Sequence, residues 1–219
     1  MDREEMWRHI GGQRLAIAES LTEIRLDEWE RPSLCEGWRV RDVVAHIGLA
    51  TEITLGSALR ELVRARGNFH RFVRETAIER AGLPNDELIA ILRRTAASRR
   101  LAPGTTTKEP LLDILVHAQD IFVPLGREFA MPERAALVVA DRIWQIPPPF
   151  GFGAKRRLRG LHIKATDAPW SRGEGPPVYG PLNVIILLIA GRVPAALPHL
   201  SGDGMEVLAA RHGQVGTAE

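Results

Sequence analysis

Asp113, His117 and His46 carry side chains that bind metal ions, and their spacing could bring them together. Asp113 and His117 lie four positions apart in "LLDILVHAQD", so on a helix their side chains project from one face, about one turn apart. His46 lies in a second apolar stretch, "VRDVVAHIGLA", and could supply a third ligand. Three protein ligands and an open fourth position are typical of a catalytic zinc site. The residue types therefore indicate a candidate metal site.

The same residues also have ordinary structural interpretations. A histidine on an apolar helix face is more often a hydrogen-bonded core residue than a ligand. Asp113, however, lies among leucine, isoleucine and valine, where an unpaired carboxylate is costly to bury. A metal ion or a cationic partner would remove that cost. Asp120, three positions after His117, could orient the imidazole from outside the metal site, or it could be a solvated surface acid.

Cys35, the only cysteine, lies in the loop before the helix that carries His46. A thiol there could act as a nucleophile, but no neighbour in the sequence activates it, so we interpret Cys35 as a structural thiol. Trp38 in the same loop is interpreted as a packing anchor. One cysteine cannot form an internal disulfide, which agrees with a reducing, cytoplasmic location.

The candidate ligands are embedded in a sequence with strong helical periodicity. Apolar residues recur at helical spacing, and Pro or Gly residues separate the periodic segments. The predicted helices span 7–24, 40–53 with a continuation towards 66, 69–81, 86–100, 110–126 and 132–145. Because short connections favour antiparallel neighbours, these helices predict a bundle domain over residues 1–148.

The sequence changes character after "IPPPFGFG", where Gly and Pro become frequent. The segment "LRGLHIKATD" alternates as a strand does, and "YGPLNVIILLIAGR" predicts a buried helix from Pro181 to Gly191. The segment "GDGMEVLAAR" predicts a closing strand. Residues 149–219 are therefore expected to form a small mixed α/β domain packed on the bundle.

Composition narrows the function classes. Of the 219 residues, 45% are hydrophobic and 26% are charged, which is typical of a folded globular protein. The formal net charge of +2 does not favour nucleic-acid binding. The longest uninterrupted apolar run, residues 184–190, is far shorter than the roughly 20 residues that cross a membrane, so no membrane association is expected.

Three separated segments resemble the DinB-like, mycothiol-dependent maleylpyruvate isomerase family. "LCEGWRVRDVVAHI" is similar to that family's "CxGWxVRDVxAHL" segment, and "LLDILVHAQDIFVPLG" resembles its "ExxxHxxD" helix. The tail "TDAPWSRGEG" with "AGR" and "LSGDG" also matches. The resemblance implies that His46, Asp113 and His117 ligate the metal. One departure stands out, because the family commonly has glutamate where this chain has Asp113.

The resemblance also implies a fold and a cosubstrate. The expected fold is mainly α, a DinB-like antiparallel helical bundle with a small α+β C-terminal domain. The expected metal is divalent zinc, and the expected cosubstrate is mycothiol, a low-molecular-weight thiol. Arg192 of the "AGR" segment could bind an anionic group of the substrate or thiol, or it could be an ordinary arginine at a helix end. A monomer or a homodimer is expected.

The expected activity is addition of the thiol to a small electrophile. A free thiol is mostly protonated at neutral pH, and a metal ion with an open position favours the reactive thiolate. Addition to a cis-alkene conjugated to a carbonyl, as in maleylpyruvate, leads to cis–trans isomerisation, whereas an epoxide or leaving group leads to thiol transfer. Two alternatives remain open: a non-catalytic protein that binds a small ligand, and a metal-dependent hydrolase that needs no thiol.

Overall fold

The computed structural model describes residues 1–49, 64, 68–102, 104–147 and 151–213. Contacts divide the chain into two compact units, Met1–Ala130 and Met131–Glu219, which we call the first and the second unit. Helices predominate in both, and a small sheet lies in the second, which confirms the mainly α prediction with a small α+β part. The expected continuation of the helix that begins at Val40 beyond residue 49 lies outside the described residues.

The described regular elements of the first unit are helices, apart from an isolated bridge between Pro32 and Arg39. Its helices are α1 (Arg3–Ser20), α2 (Leu26–Trp29), α3 (Val40–Leu49), α4 (Phe69–Arg80), α5 (Asn85–Thr95) and α6 (Lys108–Phe122), with short 3-10 turns at Leu21–Glu23 and Val123–Leu125. Helices α1 and α3 each pack against α5 and α6, and α3 also packs against α4. The helix pair α3–α6 therefore brings together the two segments that carry the candidate ligands.

Helix α6 is the most deeply buried helix that touches the candidate site. Leu111, Leu115 and Phe122 on this helix are at most 1% exposed, and they pack into the core of the first unit. Two polar residues at its C-terminal end, Gln119 and Asp120, are buried as well. Because a buried polar group needs a partner, each of these side chains must be satisfied by neighbouring elements. Gln119 Nε2, for example, donates to Phe129 O at 3.1 Å.

The loop between α2 and α3 is closed by its own hydrogen bonds. Ser33 N donates to Trp38 O at 2.8 Å, and Trp38 N donates to Cys35 O at 3.0 Å. Leu34 N donates to Asp120 O at 3.2 Å. The loop is thus attached to α6, and it presents Cys35 and Trp38 at a fixed position beside that helix.

Arg39 and Asp42 fix the start of α3. Arg39 N donates to Asp42 Oδ2 at 2.8 Å, which satisfies an amide at the helix N-terminus. The Arg39 guanidinium holds the same carboxylate, with Nε to Oδ2 at 3.0 Å and Nη2 to Oδ1 at 2.9 Å. Asp42 is buried, so this pairing compensates a charge that would otherwise be costly. His46, one turn further along α3, is positioned by this anchored helix start.

The second unit combines helices with a three-stranded sheet. Its elements are α7 (Glu133–Gln145), α8 (Ala154–Arg157), β1 (His162–Ala165), β2 (Ser171–Arg172), β3 (Pro177–Gly180), α9 (Leu182–Ile189), α10 (Val193–Ala196), a 3-10 turn (Leu197–His199) and α11 (Met205–Gly213). The strand order is β2-β1-β3, with β1 antiparallel to β2 and parallel to β3. Among the described helices of the chain, none combines the length and apolar content needed to cross a membrane.

Two features of the second unit differ from the sequence-based expectation. Helix α7, expected within residues 1–148, belongs to the second unit because it packs against the apolar helix α9. The closing strand expected in "GDGMEVLAAR" was wrong, because this segment forms α11. Gly204 N donates to Pro177 O at 2.9 Å, and the helix that follows buries Leu208 on one face. Leu208 is the one buried residue among residues 205–212, and a single buried position does not produce a diagnostic period.

The segment after β1 has a structural function in the second unit. Asp167 Oδ1 accepts a hydrogen bond from Leu182 N at 2.8 Å and so satisfies an amide at the start of α9. Trp170 is buried, and its Nε1 donates to Asp141 Oδ1 at 3.0 Å. These contacts attach the β1–β2 connection to α9 and to α7.

Replacing Asp167 with alanine should lower the free energy of unfolding by about 1 kcal/mol, because α9 loses a capping acceptor. Chemical denaturation of the full chain, monitored by circular dichroism, measures this change. Glu174, an exposed acid in the same unit, provides the matched control. An equal loss in Glu174→Ala would show that general surface charge, rather than the cap, accounts for the effect.

Candidate metal centre

The three candidate ligands converge between α3 and α6. His46 Nε2 lies 3.2 Å from Asp113 Oδ1, and His117 Nε2 lies 3.4 Å from the same oxygen. One ligand atom of each residue lies within 4.8 Å of the others. The packing of α3 on α6 accounts for the approach of His46, and the four-residue spacing accounts for the other two.

The separations between these atoms match the needs of a divalent ion. Zinc bonds to nitrogen and oxygen of about 2.0–2.1 Å, set at tetrahedral angles, place neighbouring ligand atoms about 3.3 Å apart. The observed separations of 3.2 and 3.4 Å lie on either side of that value. Two imidazoles and one carboxylate are also a ligand set that zinc accepts. The residues present therefore fit such an ion, even though aspartate takes the place of the family's glutamate.

The carboxylate of Asp113 and the two imidazoles stabilise one another electrostatically. Burial alone would raise the pKa of Asp113, but the charges and hydrogen bonds of His46 and His117 lower it well below its usual value. Burial would lower the pKa of His117, but Asp113, together with hydrogen bonds to Asp120 and Cys35, raises it well above its usual value. In the absence of metal, the ionised Asp113 and the protonated His117 thus form a charge pair.

Zinc uptake at pH 7 should therefore release at least one proton, because His117 must lose its proton to offer Nε2 to a metal. Release should diminish as the pH rises through the raised pKa of His117, where the metal-free imidazole is already neutral. Calorimetric titration with zinc in two buffers of different ionisation enthalpy measures the protons released. A release near zero at pH 7 would contradict the raised pKa.

Asp120 lies directly behind His117. It is 0% exposed, and His117 Nδ1 donates to its Oδ2 at 2.9 Å. A proton fixed on Nδ1 leaves Nε2 as the atom directed at Asp113 and His46. Asp120 is therefore not a solvated surface acid, and its role in orienting a metal ligand stays a prediction.

Cys35 is a neighbour of this site that residue spacing does not reveal. Its Sγ donates to Asp120 Oδ2 at 3.1 Å and lies 3.7 Å from His117 Nδ1. The thiol therefore shares the outer carboxylate with His117 instead of packing among apolar side chains. Cys35 and Asp120 are 85 positions apart, and they meet only because the α2–α3 loop is bonded to α6 through Leu34. The spacing of Asp113, His117 and Asp120 along α6 does not predict this long-range contact.

Trp38 forms an aromatic wall against both imidazoles. Its ring lies edge-on to His46 with centroids 5.3 Å apart, and it stacks on His117 with centroids 6.4 Å apart. Trp38 is 9% exposed. It packs, as the sequence predicts, but the residues that it packs against are two of the candidate ligands. The wall restricts the orientations of both rings.

Arg192 lies in the second unit, at the start of α10. The described contacts of its side chain include a hydrogen bond from Nη1 to Ala190 O at 2.7 Å and a position above the ring of Phe152, at 5.9 Å. The first of these contacts is typical of an arginine at the end of a helix. A role of Arg192 in binding an anionic group stays a prediction.

Comparisons with known proteins agree with the fold and with the segment that carries the candidate ligands. The family model described as mycothiol maleylpyruvate isomerase N-terminal domain matches residues 11–122, just over half of the chain. A solved structure, "Crystal structure of the mycothiol-dependent maleylpyruvate isomerase", is 15% identical, covers 93% of each chain and has a TM-score of 0.59. A histidine-to-alanine mutant of that enzyme gives 14% identity, 93% coverage of each chain and the same TM-score.

At such identities, the two solved structures show a shared fold and nothing more. A search of the curated proteins found no match. The family model rests instead on the sequence of the first unit, including the α2–α3 loop, His46, Asp113 and His117. It covers the first two of the three sequence segments that resemble the family and confirms that resemblance, and the chain belongs to the mycothiol maleylpyruvate isomerase N-terminal domain family.

Proposed function

We propose that this chain is a mycothiol-dependent zinc enzyme that promotes addition of the thiol to a small electrophilic acid. The observation that carries the proposal is the convergence of three ligand residues: His46 Nε2 and His117 Nε2 each lie at a distance from Asp113 Oδ1 that suits a tetrahedral ion, and one ligand atom of each residue lies within 4.8 Å of the others. The product is either a cis–trans isomer of a maleylpyruvate-like unsaturated acid or a thiol adduct. Membership of the family supports the thiol requirement.

When bound, the divalent ion would supply a Lewis acid that favours the thiolate form of the cosubstrate. His46, Asp113 and His117 would hold it. Asp120 keeps the proton of His117 on Nδ1, so that Nε2 is free to ligate. Trp38 packs against both imidazoles, which limits their rotation and excludes water from one side of the site.

The reaction outcome depends on the electrophile. Addition of the thiolate to a cis-alkene conjugated to a carbonyl forms a carbon–sulfur bond and moves the alkene electrons onto the carbonyl group. Rotation about the resulting single bond, followed by expulsion of the same thiolate, gives the trans-alkene and regenerates the thiol. With an epoxide, the thiolate forms a carbon–sulfur bond as a ring carbon–oxygen bond breaks. The resulting alkoxide takes up a proton, and the sulfur remains attached to the product.

Metal analysis of the purified protein, combined with thiol-consumption and isomerisation assays, tests the proposal. The assays use unsaturated and epoxide-bearing acids with and without mycothiol. We expect bound zinc and turnover that needs both metal and thiol. Full activity after metal removal would overturn the metal requirement. Turnover without thiol would favour the hydrolase, and ligand binding without any turnover would favour the non-catalytic binding protein.

A further inference from the structure

A buried arginine lies beside the candidate metal centre. Arg14, in the second half of α1, is 4% exposed. Its Nη1 donates to Thr95 O and to Ser98 O, both at 3.0 Å, where helix α5 ends. These acceptors orient the guanidinium, but they are neutral carbonyl groups and do not supply the full negative charge that a buried arginine usually has as a partner.

The Arg14 side chain also has a hydrogen-bond donor without a partner in the described part of the chain. This donor is the buried Nε. Burial lowers the pKa of Arg14, and the nearby Asp113 carboxylate acts in the opposite direction. A buried cation with an unmet donor is costly, and an anion bound next to the guanidinium would offset the cost of the buried charge.

A cavity of about 160 Å³ is lined by both Arg14 and Asp113. Apolar side chains supply much of the remaining wall, including Ile47, Leu101 and Ile114. A cavity of about 150 Å³ accommodates a benzene molecule, so this space holds roughly six non-hydrogen atoms. Its size suits the charged end of a small organic acid rather than a large cofactor.

The other charged groups at the cavity are engaged or exposed. Glu109 accepts hydrogen bonds from Thr106 N at 2.6 Å and from Thr106 Oγ1 at 2.7 Å. Arg100 is exposed at the rim. Asp113 is held by the two imidazoles. Arg14 is therefore the buried charge of this cavity that lacks an ionic partner within the described residues.

We infer that this cavity is a carboxylate subsite, in which Arg14 binds the acid group of the electrophilic substrate next to Asp113. The inference rests on the proposed function and adds to it the residue that recognises the acid. The planar guanidinium suits a carboxylate because two parallel N–H groups can donate to its two oxygens. The carbonyl oxygens of Thr95 and Ser98 occupy Nη1, so the acid would meet the remaining N–H groups of the guanidinium where Arg14 lines the cavity.

Titration calorimetry with crotonate, a short unsaturated acid, and crotonamide, its neutral counterpart, tests the subsite on the purified full chain. We expect crotonate to bind at least about tenfold more tightly than crotonamide, since hydrogen bonds to a charged group are the strong ones. Arg14→Gln should remove this preference. Arg8→Gln, at an exposed position on the same helix, should retain it and serves as the matched control.

Crotonate binding that is unchanged in Arg14→Gln, or equal binding of crotonate and crotonamide to the native chain, would overturn the inference. If Arg14→Gln does not fold, two further variants test whether crotonate binds in this cavity. Arg14→Lys keeps the charge without the paired donors, and Ala102→Phe places a ring at the exposed rim of the cavity. Both should weaken crotonate binding at least about tenfold, and unchanged binding in both would overturn the subsite.

Crotonate binding needs neither mycothiol nor turnover, so the two proposals fail separately. A chain that binds crotonate through Arg14 but shows neither thiol-dependent isomerisation nor thiol transfer would reject the proposed function and retain the subsite. A chain that shows metal- and thiol-dependent turnover, but no Arg14-dependent binding of crotonate, would reject the subsite alone.

Discussion

Replacing His117 with alanine should weaken zinc binding at least about 100-fold and lower thiol-dependent turnover with it. The substitution removes one of the three atoms that converge between α3 and α6 and leaves Asp113 paired with His46 alone. Zinc sites with four ligands bind with about 10–16 kcal/mol, so each ligand contributes about 3 kcal/mol. Affinity should therefore fall at least about 100-fold, and turnover should fall with metal content.

Competition with a chromophoric zinc chelator measures the affinity, and the isomerisation and thiol-consumption assays together measure the turnover. His199→Ala is the matched control, because His199 is an exposed histidine of the second unit. Circular dichroism of both variants establishes that the helices are retained. Stoichiometric zinc in His117→Ala, at native affinity, would show that the metal is held elsewhere.

Replacing Asp120 with asparagine should weaken zinc binding about 10- to 100-fold without unfolding the first unit. Asparagine has nearly the same volume, and it can still accept a hydrogen bond from His117 Nδ1. It lacks the negative charge that makes the imidazole a better ligand. Asp120 is fully buried, so no solvent compensates for the lost charge.

Cys35→Ala is the matched control, because it changes the surroundings of Asp120 without removing its negative charge. This variant removes the Cys35 hydrogen bond to Asp120 Oδ2 but leaves the carboxylate and its bond to His117 in place. Zinc affinity should therefore change much less than in Asp120→Asn. Native zinc affinity in Asp120→Asn, or an equal loss in both variants, would contradict an orienting role for the carboxylate.

The local part of the candidate site could be predicted from the sequence. Asp113 and His117 are four positions apart on a strongly periodic segment, and helical geometry alone places them on one face. The third ligand could not be obtained in that way. His46 is 67 positions from Asp113, and only the family resemblance joins the two segments. The helix-bundle class followed from the same periodicity.

Contacts that depend on tertiary packing lay beyond sequence reasoning. The hydrogen bond from Cys35 to Asp120 and the position of Arg14 beside Asp113 depend on how the α2–α3 loop and α1 pack on other helices. Helix α11 was expected as a strand because a short segment with one buried leucine has no clear period. Helix α7 gave a clear helical signal, but periodicity does not say which unit a helix joins.

The attachment of the α2–α3 loop to α6 couples metal occupancy to the integrity of the first unit. The Leu34 amide is bonded to the backbone of Asp120, whose side chain holds a candidate ligand. An ion that binds the native arrangement and not the unfolded chain shifts the folding equilibrium by mass action. Amide hydrogen exchange at Leu34 should then slow as zinc is added. The Leu34 amide would thus report whether the metal site is occupied, although Leu34 is not itself a ligand.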